Sequence, residues 1–222
     1  MKIIYVGDPM CTWCWAISEQ FRKFRENHPE IGFSLVMGGI RAGEHALGLE
    51  IFKAGLERSW AQAEKESGQK YNKEFFSREH YFYDSEPACR AVVTCRELNP
   101  EKVFEYKEIL EKSFYVDNQD LTNPAVLVEK AGSIGLDEKQ FEDLFHSESM
   151  KNETQKDFDL SDTLDVRGFP TILYSDGGKP EFFCKGFATL DEMEQLLLQY
   201  REGKKIQVEN HPVCDITKSE SC

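Results

Sequence analysis

The chain has 222 residues, of which 40% are hydrophobic and 12% aromatic, enough to bury a substantial core and too many for global disorder. Its 27 basic and 40 acidic residues leave a net charge of −13, a surface that repels phosphate backbones and argues against a nucleic-acid partner. No run approaches the roughly 20 apolar residues of a membrane span. The first residues also lack the apolar stretch and small-residue cleavage site of a secretory signal, so a cytoplasmic protein is expected.

Ile3, Ile4, Tyr5 and Val6 form a short apolar run that suits a strand buried on both faces. Asp8-Pro9 then opens a helix, since Asp can accept from orphan N–H groups and Pro tolerates the first turn. Ile17, Phe21 and Phe24 follow at helical spacing, and His28-Pro29 closes the helix. Ile31 to Met37 is a second strand, ended by Gly38-Gly39. These forty residues read as a β-α-β unit with parallel strands.

From about residue 44 to 164 strand signal nearly vanishes. Four or five amphipathic helices are expected there, opened at Ser85-Glu86-Pro87, Asn99-Pro100, Thr122-Asn123-Pro124 and Leu136-Asp137. Thr171 to Tyr174 and Glu181 to Cys184 then form a hairpin around Asp176-Gly177-Gly178. Leu190 to Tyr200 is a last helix, and the remaining polar tail is expected to be partly ordered at best. The domain reading is a thioredoxin-like α/β unit, 1–40 plus 165–202, split by an all-helical insertion, 41–164, and followed by a polar tail, 203–222.

Seven cysteines are present, and only Cys11 and Cys14 are close enough in sequence to suggest a designed pair. A chain of this length has core enough to manage without disulfide staples. Cys89, Cys95 and Cys184 read as small core residues, and Cys214 and Cys222 as tail thiols. A CxxC that follows a strand and opens a helix is a redox signal. A zinc site needs two further ligands at suitable spacing, and no second CxxC exists. The free N–H groups and positive end of the helix favour a thiolate on Cys11, the attacking species in disulfide exchange. Cys11 is therefore the expected nucleophile and Cys14, one turn deeper, the resolving thiol. Trp13 is expected to form an exposed apolar lip beside them.

Asp8-Pro9-Met10-Cys11-Thr12-Trp13-Cys14-Trp15 resembles the active-site segment of the DsbA-like family, in particular its FrnE-like branch of predicted protein-disulfide isomerases. Met37-Gly38-Gly39-Ile40-Arg41, Asp84 to Val92 and Val166-Arg167-Gly168-Phe169-Pro170-Thr171 extend the resemblance to about residue 200. It implies a thioredoxin fold with an inserted helical domain and thiol–disulfide oxidoreductase activity without metal or organic cofactor. It also implies a cis Pro170 facing the CxxC, with Phe169 shaping specificity beside the sulfurs, and a protein or glutathione-like thiol or disulfide as substrate. Asp8, Pro9, Thr12 and Gly168 are the supporting motif positions. Two departures stand out. Tyr5 occupies the place, six residues before the first Cys, where thioredoxins and DsbA proteins commonly carry a buried acid. Thr12 and Trp13 leave no His between the cysteines. A glutathione-using kappa-type transferase or isomerase shares this plan, but uses a Ser at the helix start. A DsbA-like protease adaptor is the non-enzymatic alternative.

Overall fold

The computed structural model describes residues 1–206, 208 and 211–215. β1 (Lys2–Gly7) lies inside a four-stranded sheet of order β2-β1-β6-β7. It runs parallel to β2 (Gly32–Met37) and antiparallel to β6 (Thr171–Ser175), with Tyr5 opposite Leu35 on one side and Ile172 on the other. This central position explains its unbroken apolar run. α1 (Thr12–Asn27) crosses between β1 and β2 and buries Ile17, Phe21 and Phe24. The Phe21 ring packs 4.8 Å from that of Tyr5. β7 (Glu181–Lys185) completes the sheet as the second arm of a hairpin, and α8 (Leu190–Arg201) follows it. Thr189 and Glu192 cap α8 reciprocally, satisfying two of its orphan donors.

The insertion carries α2 (Leu49–Ser67), α3 (Glu86–Leu98), α4 (Val103–Tyr115), α5 (Pro124–Ser133), α6 (Glu138–Phe145) and α7 (Glu148–Thr163). The sequence reading of four or five helices missed α7, whose residues make no apolar stripe. Polar contacts hold that helix instead. Asp157 accepts from both Arg96 guanidinium nitrogens at 2.8 and 2.9 Å and from the Met37 backbone N–H at 2.8 Å, tying α7 and α3 to the end of β2. The insertion is not wholly helical either: β3 (Leu47–Gly48) pairs antiparallel with β4 (Phe82–Tyr83). Two residues per strand are too few for a period-2 pattern to show. An aromatic cluster centred on the fully buried Trp60, with Tyr71, Phe75, Phe76, Phe114 and Tyr115 around it, forms the insertion's core.

The C-terminal segment departs most from expectation. β5 (Gly168–Phe169) pairs antiparallel with β8 (Cys214–Asp215), Phe169 lying opposite Cys214. The Phe187 N–H donates to the Pro212 carbonyl at 2.9 Å and the His211 N–H to the Lys185 carbonyl at 3.2 Å. Residues 211–215 are thus stitched to β5 and to the end of β7 by main-chain bonds, which are blind to side-chain polarity. Cys222 lies outside the described residues. Among the described residues no helix is long and apolar enough to cross a membrane.

Candidate active site

Cys11 is the N-cap of α1 and Cys14 stands in its first turn, so both sulfurs are presented where β1 meets the helix. Asp8 does not cap this helix. It is fully buried, and its carboxylate accepts from Met10 N at 2.7 Å, Ile40 N at 2.8 Å and the Cys89 thiol at 3.3 Å. Asp8 therefore ties the CxxC loop to the turn after β2 and to α3. Burial raises its carboxyl above the ordinary Asp range, and the converging donors oppose that rise. Pro9 falls in the turn before the helix, three residues ahead of its first residue Thr12. Cys89 and Asp84 escaped the sequence reading as site residues. Asp84 accepts from Glu86 N and Gly43 N, whereas Ser85, the expected cap of α3, accepts from Arg41 N.

Three tyrosines of the insertion grip the loop's carbonyls. Tyr83 and Tyr115 both donate to Met10 O, the second at 2.6 Å, and Tyr71 donates to Thr12 O at 3.0 Å. All three phenols are raised by burial, so they stay protonated as donors. Scattered tyrosines in a helical block give no sequence signal that they meet at one loop.

The Cys11 thiol donates to the Phe169 carbonyl at 3.5 Å, and the Phe169–Pro170 peptide is cis. Gly168, Phe169 and Pro170 are all buried. The Phe169 ring fills the space over Gly38, where an added β-carbon would lie 2.0 Å from Phe169 Cζ. Its main-chain carbonyl is the group that accepts from Cys11. Trp13 is no exposed lip. It is 3% exposed, and its ring packs 6.2 Å from that of Phe187, whose N–H bonds the C-terminal segment. Trp15 donates to Lys70 O at 3.0 Å and stacks on Tyr115.

Both sulfurs are fully buried. Burial pushes the Cys11 thiol well up, and the neighbouring Cys14 adds to the rise. Burial also works to raise Cys14, but hydrogen bonding from Cys11, the positive charge of Lys107 and the Tyr5 hydroxyl bring it below the ordinary thiol value. Cys89, Cys95 and Cys184 are buried free thiols, all raised by burial, while Cys214 is disulfide-bonded. The cavity between β7 and α8, lined by Phe183, Cys184 and Leu196, touches neither Cys11 nor Cys14.

Comparison with known proteins agrees with this geometry. The family model for the DSBA-like thioredoxin domain matches residues 2–200. A structure from Nitrosomonas europaea, described as a "putative protein disulfide isomerase", is 27% identical with a TM-score of 0.84, covering 92% of this chain and 98% of that one. The cytosolic disulfide reductase DsbM from Pseudomonas aeruginosa shares the fold at 19% identity and a TM-score of 0.75, covering 91% of this chain and all of that one; a second structure of DsbM is with GSH. The ClpXP adapter protein SpxH of Bacillus subtilis (strain 168) is 22% identical over 175 residues, 78% of this chain and 58% of its own length. The chain thus spans less than two thirds of that relative. With the match running over nearly its whole length and the paired cysteines at the start of α1, the chain belongs to the DSBA-like thioredoxin domain family.

Proposed function

We propose that the protein is a cytoplasmic thiol–disulfide oxidoreductase that works through Cys11 and Cys14 on a protein or glutathione-like substrate. The observation that carries this reading is the contact of the Cys11 thiol with the Phe169 carbonyl, which sets the N-terminal cysteine against the loop before β6. Cys11 thiolate attacks a substrate disulfide, one substrate thiolate leaves, and a mixed disulfide remains. Cys14 then attacks Cys11, closing the intramolecular disulfide and releasing the second substrate thiol. The reverse sequence oxidises a dithiol. The fold shared with DsbM supports a small thiol as substrate and a cytosolic setting.

Because Cys11 is buried here, exchange requires the packing around it to open, and its neighbour in sequence Trp13 is tied through Phe187 to residues 211–215. The test is turnover of insulin and of glutathione disulfide by the intact chain, with Cys11→Ser as control. Turnover that depends on Cys11 supports the reading. Absence of turnover, together with client-protein binding that survives Cys11→Ser, supports the adaptor reading suggested by SpxH instead.

A further inference from the structure

The edge of β5 carries a seat shaped for a passing main chain rather than for particular side chains. Two glycines line it. A β-carbon on Gly168 would lie 2.7 Å from Cys214 O, and one on Gly186 would lie 2.4 Å from Pro212 O and 2.7 Å from His211 O. The polypeptide in this seat is the chain's own C-terminal segment, residues 211–215. It runs antiparallel to β5, with Asp215 opposite Gly168 and Cys214 opposite Phe169. Pro212 O accepts from the Phe187 N–H at 2.9 Å, and the His211 N–H donates to Lys185 O at 3.2 Å. The Gly186 N–H donates to Pro170 O at 2.8 Å, so residues 168–170 and 185–187 form one wall along the segment.

This wall adjoins the CxxC. Phe169 O takes the Cys11 thiol at 3.5 Å, and the residue directly opposite Phe169 is itself a cysteine, fully buried. Paired strands lie about 4.7–4.9 Å apart, so a cysteine at that register sits one strand spacing from the residue that touches Cys11. Phe187, whose N–H the segment binds, also packs its ring 6.2 Å from that of Trp13, between the two cysteines in sequence. An extended polypeptide held here by main-chain bonds brings a cysteine to this register whatever its other side chains.

We propose that residues 211–215 are an internal stand-in for substrate, an autoinhibitory strand that holds the edge of β5 until an extended, cysteine-bearing polypeptide takes its place. Resting on the oxidoreductase reading above, this makes the substrate an extended chain. The two occupants exclude each other, because one strand edge pairs with one strand. A substrate strand that offers the same main-chain bonds replaces the segment at little net cost in hydrogen bonding. A tethered strand acts at an effective concentration on the order of millimolar, so the intact chain favours its own segment over weakly binding peptides. No bond to sulfur changes in this step, and exchange at Cys11 begins only after it.

The first experiment uses the full chain carrying Cys14→Ser. A short linear peptide with one cysteine is supplied as its symmetric disulfide. Cys11 thiolate attacks it, the Cys11–peptide bond forms, the peptide disulfide breaks, and the second peptide leaves as thiolate. Amide exchange is then compared by NMR with and without the linked peptide. The His211 N–H is expected to exchange about tenfold or more faster in the linked form, while β5 stays protected by its new partner. Linked protein in which the His211 amide keeps its protection overturns the proposal and leaves the oxidoreductase reading standing. Loss of protection in β5 as well also overturns it, since the peptide then pushes the segment aside without replacing it. A chain that forms no mixed disulfide at all removes the oxidoreductase reading, and this one with it.

The second experiment is kinetic. Gly203 is exposed, and an added β-carbon there meets nothing within 4 Å. A site-specific protease sequence inserted after it lets the tail be cut from the folded chain that retains Cys14. Cutting is expected to lower KM for the peptide disulfide about tenfold with kcat unchanged, as removal of a competitor does. A peptide of residues 211–215 with Cys214→Ser, added at about millimolar concentration, is expected to raise KM again. A folded cut chain with the KM of the uncut one overturns the proposal. Should the cut chain unfold, the exchange experiment on the full chain decides alone.

Discussion

Cys11 and Phe169, 158 positions apart in the chain, meet through a single thiol-to-carbonyl contact of 3.5 Å. Phe169 holds that carbonyl in place with its ring, wedged over Gly38, and with its backbone, paired to Cys214. The Cys11 sulfur is therefore coupled at once to the turn after β2, to the loop before β6 and to the C-terminal segment. That coupling has measurable consequences.

Replacing Gly38 with Ala places a methyl carbon 2.0 Å from Phe169 Cζ, a separation no packing tolerates. Overpacking of this kind costs about 1–3 kcal/mol, because ring and backbone must both shift. Gly38→Ala is expected to lower stability by about that amount in urea unfolding and to change the rate of Cys11 alkylation. An alanine variant as stable as wild type would show that the Phe169 ring is not held as described.

The C-terminal segment lends itself to truncation. Ending the chain after residue 206 removes the partner of β5 and the bonds to Phe187 and Lys185. Cys11 is expected to react with iodoacetamide about tenfold faster, equivalent to about 1.4 kcal/mol of lost closure. Mass spectrometry of the labelled sites checks this. An unchanged rate would place the barrier to access in Trp13 and the insertion.

The two cysteines separate by what they trap. Cys14→Ser is expected to accumulate a mixed disulfide on Cys11, because the resolving attack is gone, and Cys11→Ser to abolish turnover and trap nothing. Non-reducing mass spectrometry with glutathione disulfide distinguishes them. Trapping by Cys11→Ser through Cys14 would reverse the roles.

Asp8 links structure to pH. Burial raises its folded-state pKa above the unfolded value, so between those two values the native state binds more proton than the unfolded chain. Stability is fully present below the ordinary Asp value of about 3.9 and falls as pH rises toward the folded value. Asp8→Asn removes that slope. It also turns an amide donor toward the N–H groups of Met10 or Ile40, at a cost of about 1–3 kcal/mol. Urea unfolding at several pH values is expected to show a variant less stable than wild type at acid pH, with the gap narrowing as pH rises. A constant gap would mean that burial leaves the Asp8 pKa at its unfolded value.

Local signals carried much of this protein. The apolar run Ile3 to Val6, the helical spacing of Ile17, Phe21 and Phe24, and the hairpin around Gly177 each depend on neighbours in sequence, so the β-α-β and β-β-α halves could be read from the chain. The helix starts were legible for the same reason: Asn99, Asn123 and Asp137 accept from N–H groups two or three residues on. The pairing of Cys11 with Cys14 was legible because one helical turn brings them together. What tertiary structure alone decided involves distant partners. Polar α7 is held by Arg96, residues 211–215 by main-chain bonds that any sequence can make, and Asp8 by donors from two distant segments, at Ile40 and Cys89. Lys107 and Glu111 look like an ordinary solvated i, i+4 pair in sequence. Only the packing of α4 among α1, α3 and α5 takes them out of water and sets Lys107 over the Tyr5 ring.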